Sequence, residues 1–169
     1  MSRDTSGRAP FQVLIFPYIK DEKTGKILYA IFKRSDLDFW QGISGGGESD
    51  ETLAEAARRE VHEETNIQAN TSDFTRLSSM TTIPSAYIKG QIWGAVIMIP
   101  EFSFGLKTKS RELSLSSEHS EYLWLEIDEA IEKLKYDSNK SALWELNYRL
   151  KNNDIDGIKE NIKAIQKFL

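Results

Sequence analysis

Three glutamates, Glu60, Glu63 and Glu64, lie close together in a segment whose pattern is that of an amphipathic helix. At about 100° per residue, Glu60 and Glu64 fall on the same side as Leu53 and Val61, and Glu63 borders that side. Carboxylates three and four residues apart repel each other, and their burial is costly unless they are paired or bound to a metal. Mg²⁺ resolves both problems, because it takes oxygen ligands and keeps waters that a phosphate can displace. The alternative is that all three are solvated surface charges.

Sequence features mark both ends of this helix. The glycine cluster at residues 45–47 cannot be regular helix, and Ser49 or Asp50 is a suitable N-cap, so we expect the helix to begin near residue 50. Asn66 stands where a helix stops on a left-handed residue. We expect a structural role for Arg59, which follows Glu55 by four residues and can pair with it.

The segment from Trp40 to Ile67 resembles the Nudix box, G-x5-E-x7-R-E-U-x-E-E-x-G-U with U aliphatic. The positions that match are Gly45, Glu51, Arg59, Glu60, Val61, Glu63, Glu64 and Ile67, and Asn66 replaces the second glycine. The resemblance implies Mg²⁺-dependent hydrolysis of a diphosphate linked to another group. It also implies an α/β fold, an α/β/α sandwich with a mixed β-sheet that the box helix faces. Glu51, like Arg59, Gly45 and Asn66, then belongs to the structural part of the motif.

The order of elements along the chain agrees with a mixed sheet between helical layers. We predict a strand hairpin from 11–19 and 27–32, further strands over 74–83, 91–99 and 122–125, and helices over 128–134, 141–150 and 155–168. Residues 102–113 are predicted to form a loop. We expect one domain over residues 1–169, with residues 1–8 frayed.

Composition narrows the class of partner. The formal charge of −4 gives no basic footprint for a nucleic-acid polymer, whereas a small phosphorylated substrate held through a metal is compatible with it. The chain has no cysteine, which fits a reducing cytoplasm. The longest apolar stretch, 92–100, is too short to span a bilayer, and we expect neither a secretory signal nor a membrane partner. Monomer and homodimer both stay open.

Other short motifs lie outside the box. Asp38-Phe39-Trp40-Gln41, Glu118-His119 with Trp124 beyond, and Ser138-Asn139-Lys140 resemble the bacterial dihydroneopterin triphosphate pyrophosphatase branch of the family, often named dATP pyrophosphohydrolases. Glu118 is then another metal ligand or the base, or else a plain loop carboxylate. His119 is expected to be a hydrogen-bonded loop residue.

The resemblance assigns roles to the site. Glu60 and Glu64 would hold Mg²⁺, which Mn²⁺ can replace, with Glu63, Glu118 or a carbonyl of Ser44 or Gly45 as further ligands. The catalytic candidates are Glu63, Glu64 and Glu118, and Glu63 or Glu118 would take the proton from water. Candidate substrate contacts are Lys33, Trp40, Ser44, Gly45, Asn139 and Lys140. Arg34 adds a second cation beside Lys33, although both could simply be solvated.

The predicted reaction is cleavage of a nucleoside triphosphate such as dATP, or of dihydroneopterin triphosphate, to the monophosphate and pyrophosphate. One alternative is a hydrolase of a nucleoside diphosphate linked to a sugar or a nucleotide. Another is a Nudix-like sensor that binds nucleotides without cleaving them, which the intact glutamates disfavour. A pure interaction domain would leave the carboxylates on the apolar side unexplained.

Overall fold

The computed structural model of the chain describes residues 7–48, 50–88, 93–155 and 157–168. These residues form strands and helices in the order β1 (Arg8–Lys20), β2 (Ile27–Arg34), β3 (Trp40–Gln41), β4 (Ile43–Glu48), α1 (Leu53–Thr65), β5 (Phe74–Pro84), β6 (Met98–Lys107), β7 (His119–Leu125), α2 (Ile127–Lys133), α3 (Asp137–Asn152) and α4 (Ile158–Gln166). None of the helices in these ranges is long and apolar enough to cross a membrane.

Strand β1 is the centre of a mixed sheet. It pairs antiparallel with β2 and β4 and parallel with β6, while β5 pairs antiparallel with β6, and β3 and β7 both pair with β2. Within the described residues β4 pairs with β1 alone, so its outer side is an edge of the sheet. The mixed sheet that the sequence predicts is confirmed.

Alternation along the strands divides the core into two layers. Val13 and Ile15 of β1 pack with Ala57 and Val61 of α1 on one face. On the other face Leu14, Phe16 and Tyr18 of β1 pack with buried leucines and alanines of α2 and α3. Helices therefore cover both faces of the sheet, which confirms the α/β/α sandwich.

Several element boundaries differ from the predictions. Strand β1 begins at Arg8, so the prediction of a frayed end is wrong for that residue, whereas residues 1–6 lie outside the described ranges. Helix α3 begins at Asp137 rather than at residue 141, and α4 begins at Ile158 rather than at residue 155. The hairpin of β1 and β2 and the strand β5 are confirmed.

The largest error concerns β6. The predicted strand over 91–99 is wrong from Trp93 to Ile97, which are not in a strand, and its first two residues lie outside the described ranges. The predicted loop over 102–113 is wrong as far as Lys107, because β6 continues there between β1 and β5. Phe102, Phe104 and Leu106 alternate with smaller or polar residues, a period of two that indicates a strand.

Candidate active site

Helix α1 begins with a capping box rather than at the predicted cap. The Thr52 hydroxyl accepts the Glu55 backbone N–H at 3.2 Å, and the Glu55 carboxylate accepts the Thr52 backbone N–H at 2.8 Å. The prediction of Asp50 as N-cap is therefore wrong, and Ser49 lies outside the described residues. At the other end Asn66 adopts a left-handed conformation with φ of 58°, as expected.

Arg59 joins the start of α1 to the glycine strand. Its guanidinium donates to both carboxylate oxygens of Glu51, at 2.6 and 2.8 Å, and to the Gly46 carbonyl oxygen at 2.8 Å. The predicted pairing of Arg59 with Glu55 is wrong, because the carboxylate of Glu55 accepts hydrogen bonds in the capping box. Arg59 also donates to Glu60 at 2.7 Å, so this cation borders the carboxylates of the helix.

The Glu60 carboxyl group is buried against the glycine strand. A Cβ atom on Gly45 would collide with the Glu60 carboxyl carbon and both of its oxygens, so only glycine allows this close approach. Glu60 is 2 % exposed. The backbone of β4 at Gly45 and the carboxyl group of Glu60 on α1 are therefore in direct contact.

Glu64 lies one turn further along the same face and is 3 % exposed. In the part of the chain that the structure describes, its Oε2 atom has no hydrogen-bond partner, although it lies 3.2 Å from Nδ1 of His119. His119 is buried at the start of β7, with its ring centroid 5.4 Å from that of Phe32. Burial, and then the positive charge of Arg34, lowers the His119 pKa to about 4. The imidazole is therefore neutral at pH 7 and supplies no positive charge beside Glu64.

Negative charge accumulates around Glu64. Burial, followed by the charges of Glu60 and Glu118, raises the Glu64 pKa to about 9, and Glu63 adds to this while Arg34 opposes it. Glu63 lies at the margin, with its side chain 41 % exposed and 3.5 Å from Arg59. The predicted arrangement of two carboxylates on the buried side and a third bordering it is what the structure shows.

Backbone hydrogen bonds fasten the loop that carries Glu118 to the end of α1. Ser116 donates its N–H to the Glu64 carbonyl oxygen at 3.0 Å, and Ser114 donates to the Thr65 carbonyl oxygen at 3.1 Å. On the other side, the Glu118 carbonyl oxygen accepts the Ser35 N–H at 2.9 Å. Glu118 is thereby placed between the end of β2 and the carboxylates of α1, far from them in sequence but near in space.

These residues fit a hard divalent cation. The unpartnered, buried Oε2 of Glu64 and the carboxyl group of Glu60 packed on Gly45 offer oxygen donors of the kind that Mg²⁺ prefers. As the described side chains stand, no three carboxylates or imidazoles gather closely enough to hold an ion without further ligands. Water and phosphate oxygens would have to complete the coordination.

Two predicted substrate residues face away from α1. Lys33 is paired with Trp40 across β2 and β3, and its ammonium lies 2.9 Å from Asp38. Trp40 is partly buried and packs against the core on the α3 side of the sheet. The phosphates of a substrate would have to compete with Asp38 for Lys33.

Asn139 and Lys140 lie in the first turn of α3. The Asn139 side chain is buried and accepts the Gly42 backbone N–H at 2.9 Å, which fixes the junction of β3 and β4. Lys140 is more exposed, with its ammonium 4.0 Å from Asp137. The structure thus brings Asn139 to the start of β4, and both residues lie in α3 on the face opposite the glutamates of α1.

Sequence reasoning missed Glu101, a buried carboxyl on β6 beside Ser44. A signal was present, because Glu101 is the one charge between Met98 and Leu106, a run whose other residues are apolar or small.

Comparison with known proteins identifies the family of this chain. The family model of the NUDIX domain matches residues 12–145. The chain belongs to the Nudix family. It is a Nudix hydrolase, an enzyme class that generally uses a divalent metal and acts on small molecules.

The curated relatives of this Nudix hydrolase share less than a third of its sequence. The dihydroneopterin triphosphate diphosphatase of Escherichia coli K12 is 28% identical over 144 residues, which cover 83% of this chain and 94% of that protein. A crystal structure of a NUDIX hydrolase from Listeria monocytogenes is 40% identical, covers 86% of this chain and 97% of its own, and superposes with a TM-score of 0.76. The E. coli dihydroneopterin triphosphate pyrophosphohydrolase structure is 26% identical, covers 83% and 98% of the two chains, and has a TM-score of 0.66.

Proposed function

We propose that this Nudix hydrolase is a Mg²⁺-dependent pyrophosphohydrolase that cleaves a (deoxy)nucleoside triphosphate such as dATP, or dihydroneopterin triphosphate, to the monophosphate and pyrophosphate. The observation that carries the proposal is the buried pair Glu60 and Glu64, with one oxygen of Glu64 making no hydrogen bond within the described residues. The names of the relatives at 28% and 26% identity support the choice of a triphosphate.

Glu60 and Glu64 would hold the cation, with Glu63, Glu118 and a carbonyl oxygen of Ser44 or Gly45 as candidate further ligands, and Mn²⁺ could replace Mg²⁺. When bound, the ion neutralises phosphate oxygens and makes a water more acidic. Crowded carboxylates raise one another's pKa in its absence, so the same residues that repel each other are those that attract it.

The chain itself supplies the proton acceptor and the positioning groups. Glu63 or Glu118, both at the open side of the cluster, would take the proton as the water oxygen bonds to phosphorus and the anhydride bond to the leaving pyrophosphate breaks. Lys33 and Lys140, which lie on the face of the sheet opposite the glutamates, would contact and orient the substrate from that face. Asn139 would act on the substrate by holding the Gly42 N–H, and so the backbone of β4, in place.

A substrate panel with Mg²⁺ tests this function. Nucleoside triphosphates and dihydroneopterin triphosphate should release pyrophosphate and no orthophosphate, whereas a nucleoside diphosphate linked to a sugar or a nucleotide should be a poor substrate. Release of two monophosphates from the diphosphate-linked compounds, with slow turnover of every triphosphate, would favour the alternative. A single domain over 1–169 and a cytoplasmic location stay predictions of the sequence.

A further inference from the structure

A buried carboxyl group that the proposed mechanism does not use lies on the opposite face of the sheet from α1. Glu101 is 6 % exposed, and burial raises the pKa of its carboxyl group. Among the described residues its one hydrogen bond is accepted from the Ser44 hydroxyl at 3.3 Å. A carboxylate can accept about four hydrogen bonds, so most of its capacity is unused. Such a group is costly to bury unless something else binds it.

The register of the strands places Glu101 next to the proposed metal site. Gln12 is paired with Glu101, and Ser44 is paired with Leu14, which faces α3. The Gln12 amide donates to the Ser44 hydroxyl at 3.3 Å, so the three polar side chains form one row on that face. Gly45, the next residue of β4, contacts Glu60 on the other face. Consecutive Cα atoms are only about 3.8 Å apart, so one strand links the two sites.

Strand β4 also provides a route between the two faces. No described strand pairs with its outer side, so a substrate that reached both faces would pass around β4 near Gly46, where the Arg8 side chain packs. A molecule with phosphates at one end and a ring at the other could then place its phosphates at Glu60 and its ring at Glu101.

We propose that Glu101, oriented by Ser44 and assisted by Gln12, binds the heterocyclic ring of the substrate and selects a 2-aminopyrimidin-4-one edge. This edge, which guanine and pterin rings share, presents a ring N–H and an amino group side by side. Two such donors can bind the two oxygens of one carboxylate, and these charge-assisted bonds are stronger than neutral ones. Adenine presents an amino donor beside a ring nitrogen acceptor, which would face a carboxylate oxygen and repel it. The inference rests on the proposed function and narrows it, because among the proposed triphosphates it favours those with guanine or pterin rings over dATP.

Ring binding without metal tests the assignment independently of catalysis. In EDTA, calorimetry should show that the wild-type protein binds GMP and neopterin at least about tenfold more tightly than AMP, the loss of one charge-assisted bond being worth about 10- to 100-fold. Glu101→Gln should remove this preference without weakening AMP binding. Glu132→Gln, a change at an exposed glutamate of α2, is the matched control and should behave as wild type. Separate measurements with GMP and neopterin show which ring is preferred.

Turnover in Mg²⁺ provides the second measurement. Glu101→Gln should raise KM for dGTP or dihydroneopterin triphosphate with kcat changed only a few-fold, because ring contacts act equally in the ground and transition states. Glu101→Asp, which keeps the carboxyl group, should restore part of the preference. An unchanged ratio of GMP to AMP affinity in a folded Glu101→Gln protein, or a wild-type preference for AMP, overturns the proposal. If the ring preference holds but no triphosphate is cleaved, only the proposed reaction fails.

Discussion

The carboxyl group of Glu60 occupies the space that a side chain at Gly45 would need. Gly45→Ala should therefore displace this carboxyl group and weaken metal binding. For the wild type, Mg²⁺ should raise the melting temperature relative to EDTA, because it binds the folded state and relieves repulsion among the glutamates. In Gly45→Ala this increase should be much smaller. Melting curves in Mg²⁺ and EDTA provide the measurement.

A double-mutant cycle separates this effect from general damage to β4. If Gly45→Ala destabilises the apo protein by collision with Glu60, it should cost less in a Glu60→Ala background, where the space is empty. Equal costs in both backgrounds would show that the strain lies elsewhere in the strand. A wild-type protein with identical melting curves in Mg²⁺ and EDTA would contradict the metal site altogether.

Glu64→Gln should lower kcat by roughly 10²- to 10⁴-fold while the protein stays folded, because a ligand or base acts on the transition state. Within the described residues Glu64 makes no hydrogen bond through Oε2, so its replacement by an uncharged residue of the same shape removes no described hydrogen bond of that atom. Circular dichroism checks that the variant is folded, and steady-state kinetics measure its kcat. Wild-type turnover in Mg²⁺ would refute the assignment of Glu64.

Glu118→Ala should lower kcat by at least about tenfold, with a smaller change in KM, if the loop carboxylate is a ligand or the base. Its charge already acts on Glu64 across the interface between the loop and α1. Glu112→Ala, at an exposed glutamate earlier in the same loop, is the control and should be nearly silent. Should both variants keep wild-type rates, Glu63 becomes the first candidate for the base.

A partly buried carboxylate outside the active site, that of Glu145, makes the stability of the fold depend on pH. Glu145 accepts the backbone N–H groups of Ser78 and Ser79, each at 2.7 Å, and the Arg149 guanidinium at 2.8 Å. Burial raises the Glu145 pKa, but the hydrogen bonds from Ser79, Ser78 and Arg149 outweigh it and leave the pKa below its usual value. The resulting stability is present above the unfolded-state pKa, about 4.3, and is lost as the pH falls through the lower folded-state pKa.

Glu145→Gln should accordingly lower the free energy of unfolding by about 1–3 kcal/mol at pH 7. The difference from wild type should shrink as the pH falls below about 4, because the wild-type carboxylate then becomes protonated. Urea unfolding at several pH values measures both effects. A difference that is the same at pH 7 and at pH 3 would mean that Glu145 contributes by shape and not by charge.

The central part of the site was predictable from the sequence because it depends on one helix. The spacing of Glu60, Glu63 and Glu64 fixes their directions around α1 whatever the sheet does, and the structure buries the first and third and leaves the second at the margin. The start of the helix was less predictable. Residues 49–52 include several suitable caps, and only the reciprocal bonds of Thr52 and Glu55 decide among them.

What the sequence could not give depends on pairing between distant strands. The burial of Glu101 follows from the position of β6 between β1 and β5, which no local pattern specifies. The division of Lys33 and Glu60 between opposite faces likewise depends on the register of β2 and on where α1 packs. Local sequence indicates which segments form strands with alternating side chains. The long-range register determines which neighbours each side chain contacts.

The attachment of the Glu118 loop to α1 has a consequence for dynamics. Ser114 and Ser116 belong to no helix or strand, yet their amides bond the last carbonyl groups of α1. Hydrogen exchange at these two amides should therefore be slow for a loop, and it should require that the end of the helix be uncovered at the same moment. The segment that carries Glu118 and the turn that carries Glu64 would then open and close as one unit, so the carboxylates would assemble or separate together.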